Sequence, residues 1–121
     1  MLNTHLVIST SVELLRVAAK HIIYISSDGN YSNLLFTGGE MRMVTFQLGQ
    51  IEKMISEQLP ALGKNFVRIG KSLIVNVDNV FLINIARQQL VLSDGLQNRY
   101  TLSASKEALK ALKDYIEREK L

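Results

Sequence analysis

The chain predicts a mainly β domain with one internal helix and one C-terminal helix. Three observations carry this. Short β-branched runs separated by turn residues recur along most of the length. A hydrophobic period of three and four residues appears in only two places. No internal repeat or Pro/Gly-rich linker divides the 121 residues. The order of many strands, one helix, further strands and one helix lacks the alternation of a parallel βαβ sheet. A domain usually takes about 100–200 residues, so 1–121 reads as a single unit.

Residues 5–9 and 12–18 are apolar runs divided by Ser9-Thr10-Ser11, two strands around a turn. Residues 21–26 (His-Ile-Ile-Tyr-Ile-Ser) have no polar face, which suits a strand covered on both sides. Asp28-Gly29-Asn30 breaks that run. Residues 32–37 and 41–46 read as strands joined by a two-residue Gly38-Gly39 hairpin turn. Leu48, Ile51, Ile55 and Leu59 then mark an amphipathic helix over 47–59, closed by Pro60 and Gly63. Strand character returns at 66–69 and 79–85, and 89–92 pairs with 96–102 through a turn centred on Asp94-Gly95. Ser103 is the expected N-cap of a final helix over 105–118. Ala108, Leu109, Leu112, Tyr115 and Ile116 form the apolar stripe of that helix.

Composition excludes several classes of function. There is no cysteine, so disulfides and thiolate metal sites are out. His5 and His21 are the sole histidines and lie within expected strands. No His-Glu-x-x-His, phosphate-binding P-loop or Gly-x-Ser-x-Gly elbow occurs. The Gly-Gly pair joins two strands and is therefore a hairpin, not a phosphate cradle. Glu52 and Glu57 read as a solvated helix face. No enzyme, metal or cofactor is expected. Met1 to Thr10 lack the pattern of a secretory signal, and no apolar run reaches about 18 residues, so the expected location is the cytoplasm, with no membrane partner. The net charge of +3 comes from fourteen Lys and Arg against eleven Asp and Glu. With a pI near 9.3 it fits a polyanionic partner, though the near balance makes this a weak signal. Lys106, Lys110 and Lys113 share one helix face, but Asp114 and Glu117 beside them favour a solvated stripe.

Two stretches say more than composition. One is Ile23-Tyr24-Ile25-Ser26-Ser27-Asp28-Gly29-Asn30-Tyr31-Ser32; the other runs from Phe66-Val67-Arg68-Ile69-Gly70-Lys71-Ser72 through Leu73-Ile74-Val75-Asn76 to Val80. In this order, with a helix between them and an Asp-Gly hairpin after them, they resemble the LytTR family of bacterial DNA-binding domains. The resemblance spans about 5–116. It implies an elongated arrangement of short β-sheets whose loops enter successive major grooves on one side of a duplex. Cations there gain from counterion release at phosphates, and amide or guanidinium groups read base edges. A bend in the DNA costs a few kcal/mol and is offset by the added contacts.

The resemblance assigns DNA contact to three loops: Asn30-Tyr31-Ser32, Gly70-Lys71, and Ser103-Ala104-Ser105 with Lys106. Arg68, Ser72 and Asn76 match its signature as loop-supporting residues. Gly70 stands where the family usually has His, and Ala104 where it often has a basic residue. Both replacements remove a hydrogen-bonding side chain from the expected DNA face, leaving Lys71, Lys106 or Arg99 to compensate. Family members often carry a receiver domain ahead of this module. A chain starting at Met1 leaves no room for one, so the expectation is either a free-standing regulator or a fragment of a longer protein. Two readings stand: a sequence-specific transcriptional regulator that contacts double-stranded DNA, or a protein-interaction module on the same scaffold with decayed DNA contacts. Self-association or pairing with another regulator fits either.

Overall fold

In a computed structural model, which describes residues 3–119, the chain is organised around one strand, β3 (Ile22–Asp28). Met1, Leu2, Lys120 and Leu121, the ends of the 1–121 unit, lie outside the described residues. β3 is central in an antiparallel five-stranded sheet of order β5-β4-β3-β7-β6. Its neighbours are β4 (Tyr31–Phe36) and β7 (Leu73–Asn76), with β5 (Met41–Val44) and β6 (Phe66–Ile69) outside them. The register of β3 against β4 shifts between Ile22 and Tyr24. That bulge turns adjacent Ile23 and Tyr24 towards one core while Ile22 and Ile25 face the other. The unbroken apolar run thus serves two cores at once. Each fully buried side chain of this size contributes about 1.5–3 kcal/mol.

The first core lies under α1 (Leu48–Gln58) and the hairpin of β1 (His5–Ser9) and β2 (Leu14–Ala18). Leu48, Ile51, Ile55 and Leu59 are buried there, as their spacing requires. Gln47 caps α1 through a reciprocal capping box with Gln50. Past the helix, Gly63 donates to the Leu59 carbonyl, and a Cβ at Gly63 would sit 3.2 Å from the Ile55 carbonyl oxygen. The Gln58 side chain reaches β1, where it accepts from Val7 N–H at 2.8 Å and donates to the Val7 carbonyl at 2.9 Å.

The second core is closed by a three-stranded sheet of order β10-β9-β8 and by α2 (Lys106–Glu119). Its strands are β8 (Val80–Asn84), β9 (Gln89–Ser93) and β10 (Arg99–Ser103). Leu109 and Leu112 bury the inner stripe of α2, with Ala108, Tyr115 and Ile116 packed beside them. No helix among the described residues is long and apolar enough to cross a membrane.

The mainly β class, the internal helix and the C-terminal helix are as the sequence predicts. One strand is added and three local expectations are corrected. Leu73–Asn76 forms a strand that alternation does not reveal, because all four residues are buried. The Gly38-Gly39 turn closes around three residues, since Phe36 N–H bonds the Glu40 carbonyl. The Asp94-Gly95 turn is a longer loop in which the Asp94 carboxylate accepts from Leu96 N–H, Asn98 N–H and the Asn98 amide. Ser103 ends β10 and does not cap α2; Ser105 does, its Oγ accepting from Ala108 N–H at 3.1 Å.

Candidate nucleic-acid interface

The antiparallel pairing of β3 with β7 sets the geometry of the site. Ser26 lies opposite Leu73, and Ser27 N–H donates to the Ser72 carbonyl at 2.8 Å. The β3–β4 turn and the β6–β7 turn therefore emerge side by side from one end of the sheet. The segment between β10 and α2 approaches the second of them. Ser26, Ser27, Gly70, Lys71, Ser103 and Ala104 line a shared groove of about 420 Å³. The second and third loops meet in that groove; the first stands one strand away. Ser26 and Ser27 were not singled out by sequence, although they precede Asp28 within the first motif.

In the second loop, Gly70 adopts φ +62°, a left-handed turn that favours glycine. A Cβ there would meet nothing within 4 Å, so the constraint is in the backbone and not in the space around it. Lys71 is exposed, and no carboxylate pairs with it among the described residues. Arg68 ties the loop to α1: Nη1 donates to Glu52 Oε1 at 3.0 Å and Nη2 to the Lys71 carbonyl at 2.9 Å. Glu52 is thus the anchor of that brace, beyond a merely solvated residue. Asn76 is buried, donates to the Ile22 carbonyl at 2.9 Å and accepts from Asp78 N–H at 3.1 Å. Ser72 is exposed and meets β3 through its backbone.

In the first loop, Asn30 Oδ1 accepts from Gln47 Nε2 at 3.1 Å, which joins the turn to the start of α1. Tyr31 is 45% exposed. Ser32 is corrected: it is fully buried, and its hydroxyl donates to the Phe46 carbonyl at 2.7 Å. It holds the loop and presents nothing to a ligand.

The third loop carries little charge. Ser103 and Ser105 are exposed hydroxyls, the latter engaged as a cap, and Lys106 opens α2 without an ion-pair partner among the described residues. Ala104 is also corrected. It is half-buried against the second core, its N–H donates to the Gln88 carbonyl at 3.3 Å, and its carbonyl accepts from Gln88 Nε2 at 3.4 Å. Its side chain packs inward. Arg99 does not join these loops: it begins β10, roughly 13 Å of strand away from Ser103 at about 3.3 Å per residue, and its guanidinium lies 3.8 Å over the Phe81 ring. Lys113 pairs with Glu117 at 2.6 Å, which raises its pKa and makes the lysine stripe of α2 a solvated face there. Tyr24, on the groove wall, is edge-on to Tyr100 at 6.4 Å; burial, and then Tyr100, push its pKa up, so its hydroxyl stays neutral.

The β-scaffold gathers an unpaired lysine, hydroxyls and amides on adjoining loops at one end, with no group of three or more metal-binding side chains among the described residues. Residues 13–117 match the family model of the LytTr DNA-binding domain, and the chain belongs to that family. Its fold also matches the LytTr DNA-binding domain of a Bacillus cereus protein described as a methyl-accepting/DNA response regulator. The identity is 15%, the TM-score 0.65, and the match covers 93% of this chain and 96% of that one. A search of curated proteins returns no match. At the level of the family, this is a DNA-binding domain. β1 lies ahead of the matched segment.

Proposed function

We propose that the chain is a sequence-specific transcriptional regulator that binds double-stranded DNA through its loops, entering successive major grooves, without catalysis and within the cytoplasm. Lys71 carries the reading. It is a free cation at a turn tip whose carbonyl is fixed by Arg68. Asn30, Tyr31, Ser103, Ser105 and Lys106 are the further contacts; Arg68, Ser32 and Asn76 hold the loops, and Ser72 meets β3 through its backbone carbonyl. Lys71 suits a phosphate better than a base edge, since ammonium is a point charge without the planar fork of arginine. The test is a salt titration of wild type and Lys71→Ala on a duplex selected from a random pool and on an unrelated one. The variant is expected to lose about 1–3 kcal/mol on both and to lower the salt slope by about one. Equal binding at low salt would remove Lys71 from the interface.

A second reading has two observations in its favour. Gly70 offers no side chain and Ala104 points inward, so two expected contacts are missing. On that reading the domain binds a protein, pairing with another regulator or with itself. A wild-type chain that selects no sequence from the random pool would favour it.

A further inference from the structure

We propose that the turn between β8 and β9 is a fourth DNA-contacting element, in which the Arg87 guanidinium meets a backbone phosphate beside the third loop. The inference rests on the DNA-binding reading above. The turn is held in a particular shape: Asn84 Oδ1 accepts from Arg87 N–H at 3.0 Å, and Gln88 N–H bonds the Ile85 carbonyl at 3.1 Å. Gln88 has φ +53°, the sole non-glycine residue in the left-handed region among those described. That conformation costs an ordinary side chain about 1–2 kcal/mol. A turn that only joined two strands would take Gly or Asn there. Gln88 is exposed, so packing of its side chain does not account for the strain.

What the strained turn does achieve is a fixed position relative to the third loop. Gln88 bonds Ala104 through both its carbonyl and its side-chain amide. Ala104 is the residue between Ser103 and Ser105, and its methyl group, half-buried against the second core, carries no charge. Arg87 therefore stands on a tip hydrogen-bonded to a loop that has hydroxyls but no guanidinium. It is exposed and meets no carboxylate among the described residues, whereas Arg42 and Arg68 are ion-paired and Arg99 is stacked on Phe81. A free cation on a turn fixed beside the groove is placed to meet a phosphate, and the strain held at Gln88 is consistent with a functional turn.

The test uses the full chain on its selected duplex and on an unrelated duplex, titrated across salt. Arg87→Ala is expected to weaken binding to both about tenfold and to lower the salt slope by about one. Its melting temperature should match wild type, because the exposed side chain makes no hydrogen bond or ion pair among the described residues. Arg87→Lys should keep most of the affinity, since a phosphate accepts a point charge. Wild-type binding by Arg87→Ala, alongside weakened binding by Lys71→Ala, overturns the fourth contact and leaves the DNA reading intact. Loss confined to the selected duplex, with an unchanged slope, assigns Arg87 to a base edge and overturns the phosphate contact. Failure of the wild-type chain to bind any duplex overturns both.

Discussion

The second and third loops face the same groove but are built in opposite ways. The second is a bare turn: Gly70 has no side chain, Lys71 is free, and a guanidinium from outside the turn holds its carbonyl. The third is fastened at every residue, with Ala104 packed against the second core and bonded to Gln88, and Ser105 occupied as a helix cap. One loop separates its free cation from the group that braces it. The other spends its polar atoms on staying in place and takes its nearest free cations from Lys106 and the adjoining turn. A loop that must offer charge is therefore best held from behind, and a loop that anchors a helix has less to offer.

The contrast breaks most readily at Arg68. Arg68→Ala removes the brace on Lys71 and leaves Glu52 without its partner. DNA affinity should fall at least as far as in Lys71→Ala, about tenfold or more, and stability by about 1–3 kcal/mol, as for other charge-assisted bonds to a carbonyl. Denaturant melts with anisotropy titrations check both; a stable protein with full affinity would show that the loop holds itself. Ser105→Ala separates the two roles at the third loop. It should cost about 1 kcal/mol of stability through the lost cap while changing affinity less than Lys71→Ala. A large loss of affinity with little loss of stability would make Ser105 a contact first.

The smallest effect is expected at a loop remote from the groove. Bonds from Leu96 N–H, then the Asn98 side chain, hold the Asp94 carboxyl below the usual carboxylate range. A lowered folded-state pKa means that this stabilisation is complete above the unfolded value of about 4 and fades as pH falls through the folded value. Thermal midpoints measured from pH 7 down to 3 should therefore be flat until the acid limb, and Asp94→Asn should soften that limb. DNA binding at neutral pH should be the same in the variant.

The legible parts of this molecule were those with a period or a fixed turn chemistry. Helix α1 followed from four apolar residues at helical spacing, and the strands at 5–9 and 66–69 from apolar runs bounded by turns. β7 was hidden because its run from Leu73 to Asn76 is only four residues long, without alternation, whereas β3, equally without a polar face, is a longer β-branched run ended by Asp28-Gly29. At the site, the two motif stretches located the loops, but not which side chains turn outward. Ser32 and Ala104 are small residues in loop motifs, and only tertiary packing decides that one donates inward and the other packs against the second core. The brace from Arg68 to Glu52 joins a strand to a helix sixteen residues away, a distance no local pattern reports.

Gln58 has a consequence for the molecule's behaviour in a crowd. A strand with one partner exposes a row of donors and acceptors that another chain can copy onto. β1 pairs only with β2, and at Val7 its remaining edge is filled by a single amide that imitates the missing neighbour. One glutamine side chain thereby does locally what an extra strand would do, and closes at that point a route to the edge-to-edge sheet growth that seeds aggregates.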